Sequence, residues 1–441
     1  LEGKLVSSGN ETDITEICAN ALTAFSLVLS SGTGTEREAA PIEESADELT
    51  DELPGDSTND ATNKPALSVL KQDEFSLVVK VRCASNFYVL KRVNSKSYFA
   101  TEETAAVQNS LMQFAGSERL GTEDGKYIFH EKLPDDNNAV WTLSRFIPNA
   151  PSFNWLDLSP SWTCAHSHSA GEILARLHHK SHEVSANLNA ATSSNLILAI
   201  SAIPGWLEDA FAKPFSKNVY GQTEDAVSIV DRSLILEKIR RCIVSVQSLR
   251  SNTGEQHQII PCGEQIMIHG DFQPGNVLFL QDQVVGLIDW DYAHLDSPLL
   301  EVAYGMIMFS AKFAVPGDEV EYLDRALANA FLQGYSSGCI STGWSVYRAV
   351  AEPSAGASHR EIEVECNVDD LHVLLPAYIK FAASLILLWA LSKQGPKPEH
   401  RTTVLRKAVH FILSERNLFT PEKSSSDSSI SQPAPHDNGA S

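Results

Sequence analysis

The sequence has no Cys-x-x-Cys pair: its seven cysteines, at positions 18, 83, 164, 242, 262, 339 and 366, follow no regular spacing. An odd, scattered set excludes the disulfide framework of a small secreted domain and fits reduced thiols in a cytoplasm. A secretory signal is also missing. The partly apolar stretch 22–29 is preceded by no base except Lys4, and the chain starts with Leu rather than Met. Positive charge is scarce, with 34 Lys and Arg against 56 Asp and Glu for a net −22. That balance argues against a general binder of nucleic acid or of anionic membrane, whose footprint is basic. It favours a cationic substrate only weakly, because residues 36–60 hold ten acids and one base and so account for −9 of the total. The one long apolar run, 374–391, carries Lys380 inside it and charged residues around it, and reads as a buried helix rather than a membrane span.

What is present fits a globular chain: 441 residues, 43% hydrophobic and 20% charged, enough for two lobes plus appendages. Residues 11–29 predict a helix with Ile14, Cys18, Leu22, Phe25 and Leu29 on one face. The Ser/Gly/Thr-rich, acidic stretch 30–64 is too polar to bury a core and reads as a disordered insertion. Alternation then predicts strands at 66–70, 75–83 and 87–93, with Lys91 inside the third. A helix follows at 101–114, with Glu103, Val107, Leu111 and Phe114 on an inward stripe. Residues 127–133 and 139–146 form a second hairpin, ended by Pro148.

The rest is predominantly helical, at 161–179, 206–211, 225–249, 298–313, 319–334, 369–393 and 399–416, with 338–368 irregular and a disordered tail from about 424. His166, His168, His178, His179 and His182 lie close together in and just after the 161–179 helix but share no metal-ligand pattern, so they read as packing or surface histidines.

The most informative stretch is 266–291. Two short apolar runs, 277–280 and 284–288, flank Gln281-Asp-Gln283 and predict a hairpin with a three-residue turn. A hairpin returns the chain to its start, so Asn276 before it and Asp289 after it meet at the open end. An amide oxygen and a carboxylate are hard donors of the kind Mg²⁺ takes alongside phosphate oxygens and water. Asp271 lies five residues upstream in a Gly- and Pro-punctuated loop. There a carboxylate can accept the proton of an attacking hydroxyl while a phosphoryl group is transferred.

His269-Gly-Asp271, Asn276 and Ile288-Asp-Trp-Asp291 resemble the catalytic and metal-binding segments of the aminoglycoside phosphotransferase and choline kinase superfamily, relatives of the protein kinases. The resemblance implies an α+β, bilobal protein-kinase-like fold: a small antiparallel N-lobe sheet with one helix at 65–148, and a larger, mainly helical C-lobe at 149–420. Residues 1–64 and 421–441 are appendages to it. It implies Asp271 as catalytic base, Asn276 and Asp289 as Mg²⁺ ligands, and Trp290-Asp291 in place of the Phe-Gly of protein kinases.

By the same resemblance Lys91 pairs the phosphates of ATP, or less readily GTP, and is fixed by a helix acid, for which Glu103 is the choice and Glu102 the second. Leu143–Asn149, including Phe146, resembles the hinge that hydrogen-bonds adenine. The stretch 170–178 resembles the family's Leu-Ala-x-Leu-His helix, and Ser297 and Glu301 stand where aspartates are usual. The first turn, Lys71-Gln-Asp-Glu-Phe-Ser76, holds no glycine, so Ser76 and backbone amides are left to clamp phosphates. The function implied is phosphorylation of a small-molecule hydroxyl, with aminoglycosides and amino-alcohols as family examples. A nucleotide-binding scaffold and a kinase of peptides are the alternatives. No acceptor and no oligomeric state follow from these residues.

Overall fold

The computed structural model describes residues 18, 21–25, 66–72, 76–83, 85–94, 102–120, 126–131, 139–154, 156, 161–185, 199–212, 229–251, 258–261, 265–311, 313, 323–350, 361–362, 366–392 and 398–414. The acidic stretch 30–64 and the tail from 424 fall outside them.

Period-two alternation builds the first unit. Strands β1 (Ala66–Gln72), β2 (Ser76–Cys83) and β3 (Asn86–Asn94) precede helix α1 (Glu102–Phe114) and strands β4 (Arg119–Leu120), β5 (Phe129–Glu131) and β6 (Ala139–Arg145). They make one antiparallel sheet in the order β1-β2-β3-β6-β4, with β5 also on β6. Leu77, Val79 and Val81 of β2 share one face with Tyr88 and Leu90 of β3 and Trp141 and Leu143 of β6. That face is closed by Cys18, Ala21 and Phe25, so the N-terminal helical segment is part of the sheet's core. Lys91, in register with Val78 and Thr142, sits on the opposite face.

Helix α1 points Leu111 and Met112 into the main core. Phe114, expected on the same stripe, is instead 37% exposed, its ring covered by the Arg176 guanidinium at 5.7 Å.

The larger unit is mainly helical: α2 (Cys164–Ser185), α3 (Ala199–Ala212), α4 (Ile229–Ser251), α5 (Pro298–Met308), α6 (Arg325–Thr342), α7 (Val368–Leu391) and α8 (Pro398–Leu413). α2 and α6 pack at backbone contact, since a Cβ on Gly171 would lie 2.0 Å from the Phe331 carbonyl and one on Gly334 1.9 Å from that of His168. α7 is the one helix among the described residues long and apolar enough to cross a membrane. Here its Leu375, Tyr378, Phe381, Ala382 and Leu387 join the core, and Lys380 Nζ donates to the Ile412 and Ser414 carbonyls at the end of α8.

The expected irregular stretch 338–368 is partly ordered: α6 runs on to Thr342, and β12 (Tyr347–Val350) and β13 (Glu361–Ile362) join β7 (Gln258–Pro261) in a small antiparallel sheet. The pairing partner lies far upstream, where local periodicity cannot register it.

Candidate functional site

One closed unit carries Asp271, Asn276 and Asp289. β8 (Ile266–Ile268) leads into the catalytic-type loop, β9 (Val277–Leu280) and β10 (Gln283–Leu287) form the hairpin, and β11 (His294–Asp296) returns to pair with β8. Both ends of 266–296 are thus tied together. The hairpin turn is two residues, Gln281-Asp282, rather than three, because Gln281 takes a left-handed conformation (φ 56°) and Gln283 already pairs with Leu280. The expected meeting at the open end occurs: the Ile288 N–H donates to the Asn276 carbonyl at 2.9 Å. The chain just after the hinge-like segment joins the same loop, with the Phe153 N–H on the Pro274 carbonyl at 3.0 Å.

His269 braces this unit. Its Nε2 donates to the Ile288 carbonyl (2.9 Å) and its Nδ1 accepts the Asp271 N–H (3.3 Å), which fixes the Nε2-H tautomer and occupies both ring nitrogens. The ring is fully buried, 4.7 Å from that of Trp290.

Beneath it Glu301, in the first turn of α5, accepts the His269 N–H at 3.1 Å and the Gly270 N–H at 2.7 Å. Glu301 also meets His178 Nε2 at 2.9 Å, and His178 Nδ1 meets the Tyr335 hydroxyl at 2.8 Å. Burial opposes the charge on Glu301, yet its hydrogen bond to His178 and the loop amides hold its carboxyl below the usual range. With both oxygens spent and 1% of its side chain exposed, Glu301 is a structural brace of the loop. Ser297 stands at the N-cap of α5, but its side chain makes no capping bond; the cap is backbone only, Leu300 N–H to the Ser297 carbonyl.

Asp271 is held on three sides. Oδ2 accepts Asn276 Nδ2 at 2.8 Å and Gln273 Nε2 at 3.2 Å, and Oδ1 accepts the Tyr304 hydroxyl at 2.9 Å. Burial, then the negative charge of Asp289, pushes its carboxyl above the usual value. Both Asn276 side-chain bonds, to the Asp271 carboxylate and carbonyl, use the amide nitrogen, which leaves Oδ1 of Asn276 out of them.

Lys91 reaches across from β3, its Nζ 2.6 Å from Asp289 Oδ1 and 2.8 Å from Asp291 Oδ2. Burial alone would lower the ammonium's pKa; the two carboxylates outweigh it and raise the value. They divide unequally. Asp289 lies below the usual range because the attraction of Lys91 offsets burial, whereas burial of Asp291 wins and raises it. Asp289 takes a left-handed backbone (φ 63°, ψ 62°), which Asp tolerates better than most residues, and one-third of its side chain is exposed.

Glu103 lies in the first turn of α1, with its side chain, like that of Glu102, outside the described residues; the partners the structure gives Lys91 are Asp289 and Asp291. Ser76 opens β2, buried and paired with Val93. Residues 73–75 are outside the described set, but Lys71 before them adds positive charge at Asp289. Phe146 sits at the hinge with its N–H on the Phe87 carbonyl at 3.0 Å and its ring 4.1 Å from Lys80 Nζ, so that N–H is not available to a ligand. Tyr304 was not anticipated; the signal was its place three residues after Glu301, on the same side of a helix.

Among the described residues no group of three or more His, Cys, Asp or Glu gathers as a metal cluster. His166 of the crowded helix instead packs on Trp162, 5.1 Å between ring centres.

A sequence profile of the phosphotransferase enzyme family matches residues 76–350. A search of curated proteins finds no match. Among solved structures, a choline kinase from Cryptosporidium parvum is similar at TM-score 0.49 and 12% identity, over 80% of this chain and 89% of that one. A microcompartment-associated aminopropanol kinase is similar at 0.46 and 14% (80% and 92% covered), and a spectinomycin phosphotransferase at 0.42 and 13% (80% and 93%).

Proposed function

The chain belongs to the phosphotransferase enzyme family, and from that premise we propose that it moves the γ-phosphoryl group of ATP to a hydroxyl of a small molecule, an aminoglycoside, amino-alcohol or similar metabolite. The observation that carries this reading is convergence. Lys91 of the sheet pairs with Asp289 at the end of the hairpin, the charge of Asp289 acts on Asp271, and Asn276 is bonded to Asp271.

In this reading Asp271 is the base. The acceptor oxygen bonds to the γ-phosphorus, the bond from that phosphorus to the β,γ-bridging oxygen breaks, ADP leaves, and the hydroxyl proton passes to the Asp271 carboxylate. Lys91 holds phosphate oxygens by charge. Asn276 Oδ1 and the solvent-facing Asp289 carboxylate are hard oxygen donors, and a cation, the Lys91 ammonium, already stands at Asp289. These residues fit Mg²⁺, which when bound neutralises charge on the phosphates. Ser76, Glu103 and the hinge backbone around Phe146 are assigned to the nucleotide by family resemblance.

The glycine-free segment after β1 favours one competing reading, a nucleotide-binding scaffold without turnover. Incubation with Mg-ATP and a panel of hydroxyl compounds, followed by ³¹P NMR and mass spectrometry, decides. ADP formed together with a phosphorylated acceptor supports the enzyme. Nucleotide binding with no ATP consumed for any acceptor or for water supports the scaffold and refutes the transferase.

A further inference from the structure

An ionised carboxylate offers about four lone-pair directions. At Asp271 two are spent on Oδ2, by Asn276 and Gln273, and one on Oδ1, by Tyr304. Among the described residues one direction remains without a partner, on Oδ1. Resting on the reading of Asp271 as the base, we infer that Tyr304 is a positioning residue: its hydroxyl fixes the carboxylate so that this remaining lone pair meets the acceptor's hydroxyl, and the phosphoryl group passes to the acceptor rather than to water.

The surroundings support a built contact. α5 grips the loop twice with residues three apart, Glu301 on the Gly270 N–H and Tyr304 on the Asp271 side chain. The next residue is glycine. A Cβ on Gly305 would lie 2.8 Å from Phe331 Cζ and 3.1 Å from Phe272 Cδ1, so its absence brings α5 close enough for Tyr304 to reach. A second phenol, Tyr292, is 41% exposed and near enough for the Asp271 charge to act on it. The acceptor therefore meets the base beside two aromatic side chains. Packing alone has no need of the Tyr304 hydroxyl, since phenylalanine fills the same space.

The test is Tyr304→Phe, read three ways: affinity for a non-hydrolysable Mg-ATP analogue by calorimetry, kcat and KM for the acceptor, and the ratio of phosphoryl transferred to acceptor against phosphate released to water. The expected result is nucleotide affinity within about twofold of wild type, kcat down about tenfold, and a transfer-to-hydrolysis ratio down by a similar factor, the size of effect a misplaced base gives. Tyr304→Gln, which restores a donor, recovers part of both. Unchanged kcat and ratio in Tyr304→Phe overturn the inference while leaving the transferase reading intact. Equal losses of nucleotide affinity and kcat, with the ratio unmoved, overturn it in favour of a packing role. A wild-type protein that turns over ATP with neither acceptor nor water removes the transferase reading itself, and this inference with it.

Discussion

Lys91 Nζ stands 2.6 Å from Asp289 Oδ1, and this contact joins a strand of the sheet to the end of a hairpin 198 residues later in the chain. Nothing in either local sequence requires the other. The ion pair converts two separately legible motifs into one site, and the energetics of the free protein depend on it.

Replacing Lys91 by methionine leaves Asp289 and Asp291 facing each other without a cation. The expected cost is about 1–3 kcal/mol of stability, less than for a fully buried pair because Asp289 is partly exposed to solvent. Affinity for Mg-ATP should fall at least about tenfold as the phosphates lose their ammonium. Denaturant titration and calorimetry measure both. Wild-type nucleotide affinity in this variant contradicts the assignment of Lys91.

Glu301 makes the free protein sensitive to acid. Its folded pKa lies below the ordinary 4.5, so its contribution is complete above pH 4.5 and is lost as pH falls through the lowered folded value. The groups facing it are His178, with Tyr335 behind, and the amides of His269 and Gly270. Glu301→Gln should cost about 3 kcal/mol at neutral pH, and the gap to wild type should narrow below pH 4.5. A gap independent of pH down to 3 means that the carboxylate charge is not what holds the loop.

Gly116 is expected to tolerate no side chain. It has φ +83°, and a Cβ there would stand 2.1 Å from the Val285 carbonyl at the hairpin bulge. Beside it Ser117 Oγ donates to the Leu287 carbonyl at 2.6 Å, so this corner docks α1 on β10. Gly116→Ala should lose about 1–3 kcal/mol in chemical denaturation; an unchanged midpoint contradicts the contact.

Thiol reactivity reports whether the N-terminal helical segment stays on the sheet. Burial pushes the Cys18 thiol up to about 11, and Cys339 and Cys366 are buried, whereas Cys164 is exposed. Peptide mapping after brief alkylation at neutral pH should find Cys164 modified and these three protected. Rapid labelling of Cys18 means that the segment leaves the core formed by Leu77, Val79 and Tyr88.

Much of the fold was legible because period-two and period-3.6 patterns are strong at 66–94, 102–114 and 368–391. The hairpin that brings Asn276 beside the Asp289 segment was readable from two apolar runs and a polar gap, although its turn is one residue shorter. What local sequence could not carry was contact between distant segments. The partner acids of Lys91, the Tyr304 hydroxyl on Asp271, the His178–Glu301 pair and the β7–β12 pairing all join residues more than thirty positions apart. The Phe114 reversal has a similar origin, since Arg176 of another helix supplies the cover that the stripe argument assigned to the core.

The most direct measurement concerns Asp271 alone. Asp271→Asn keeps the size of the side chain and its place among Asn276, Gln273 and Tyr304 but lowers its basicity, so it separates chemistry from binding. With an acceptor that the wild-type protein phosphorylates, the variant should bind Mg-ATP with affinity within a few-fold of wild type and lose at least about a thousandfold in kcat. Transfer at the wild-type rate contradicts the account.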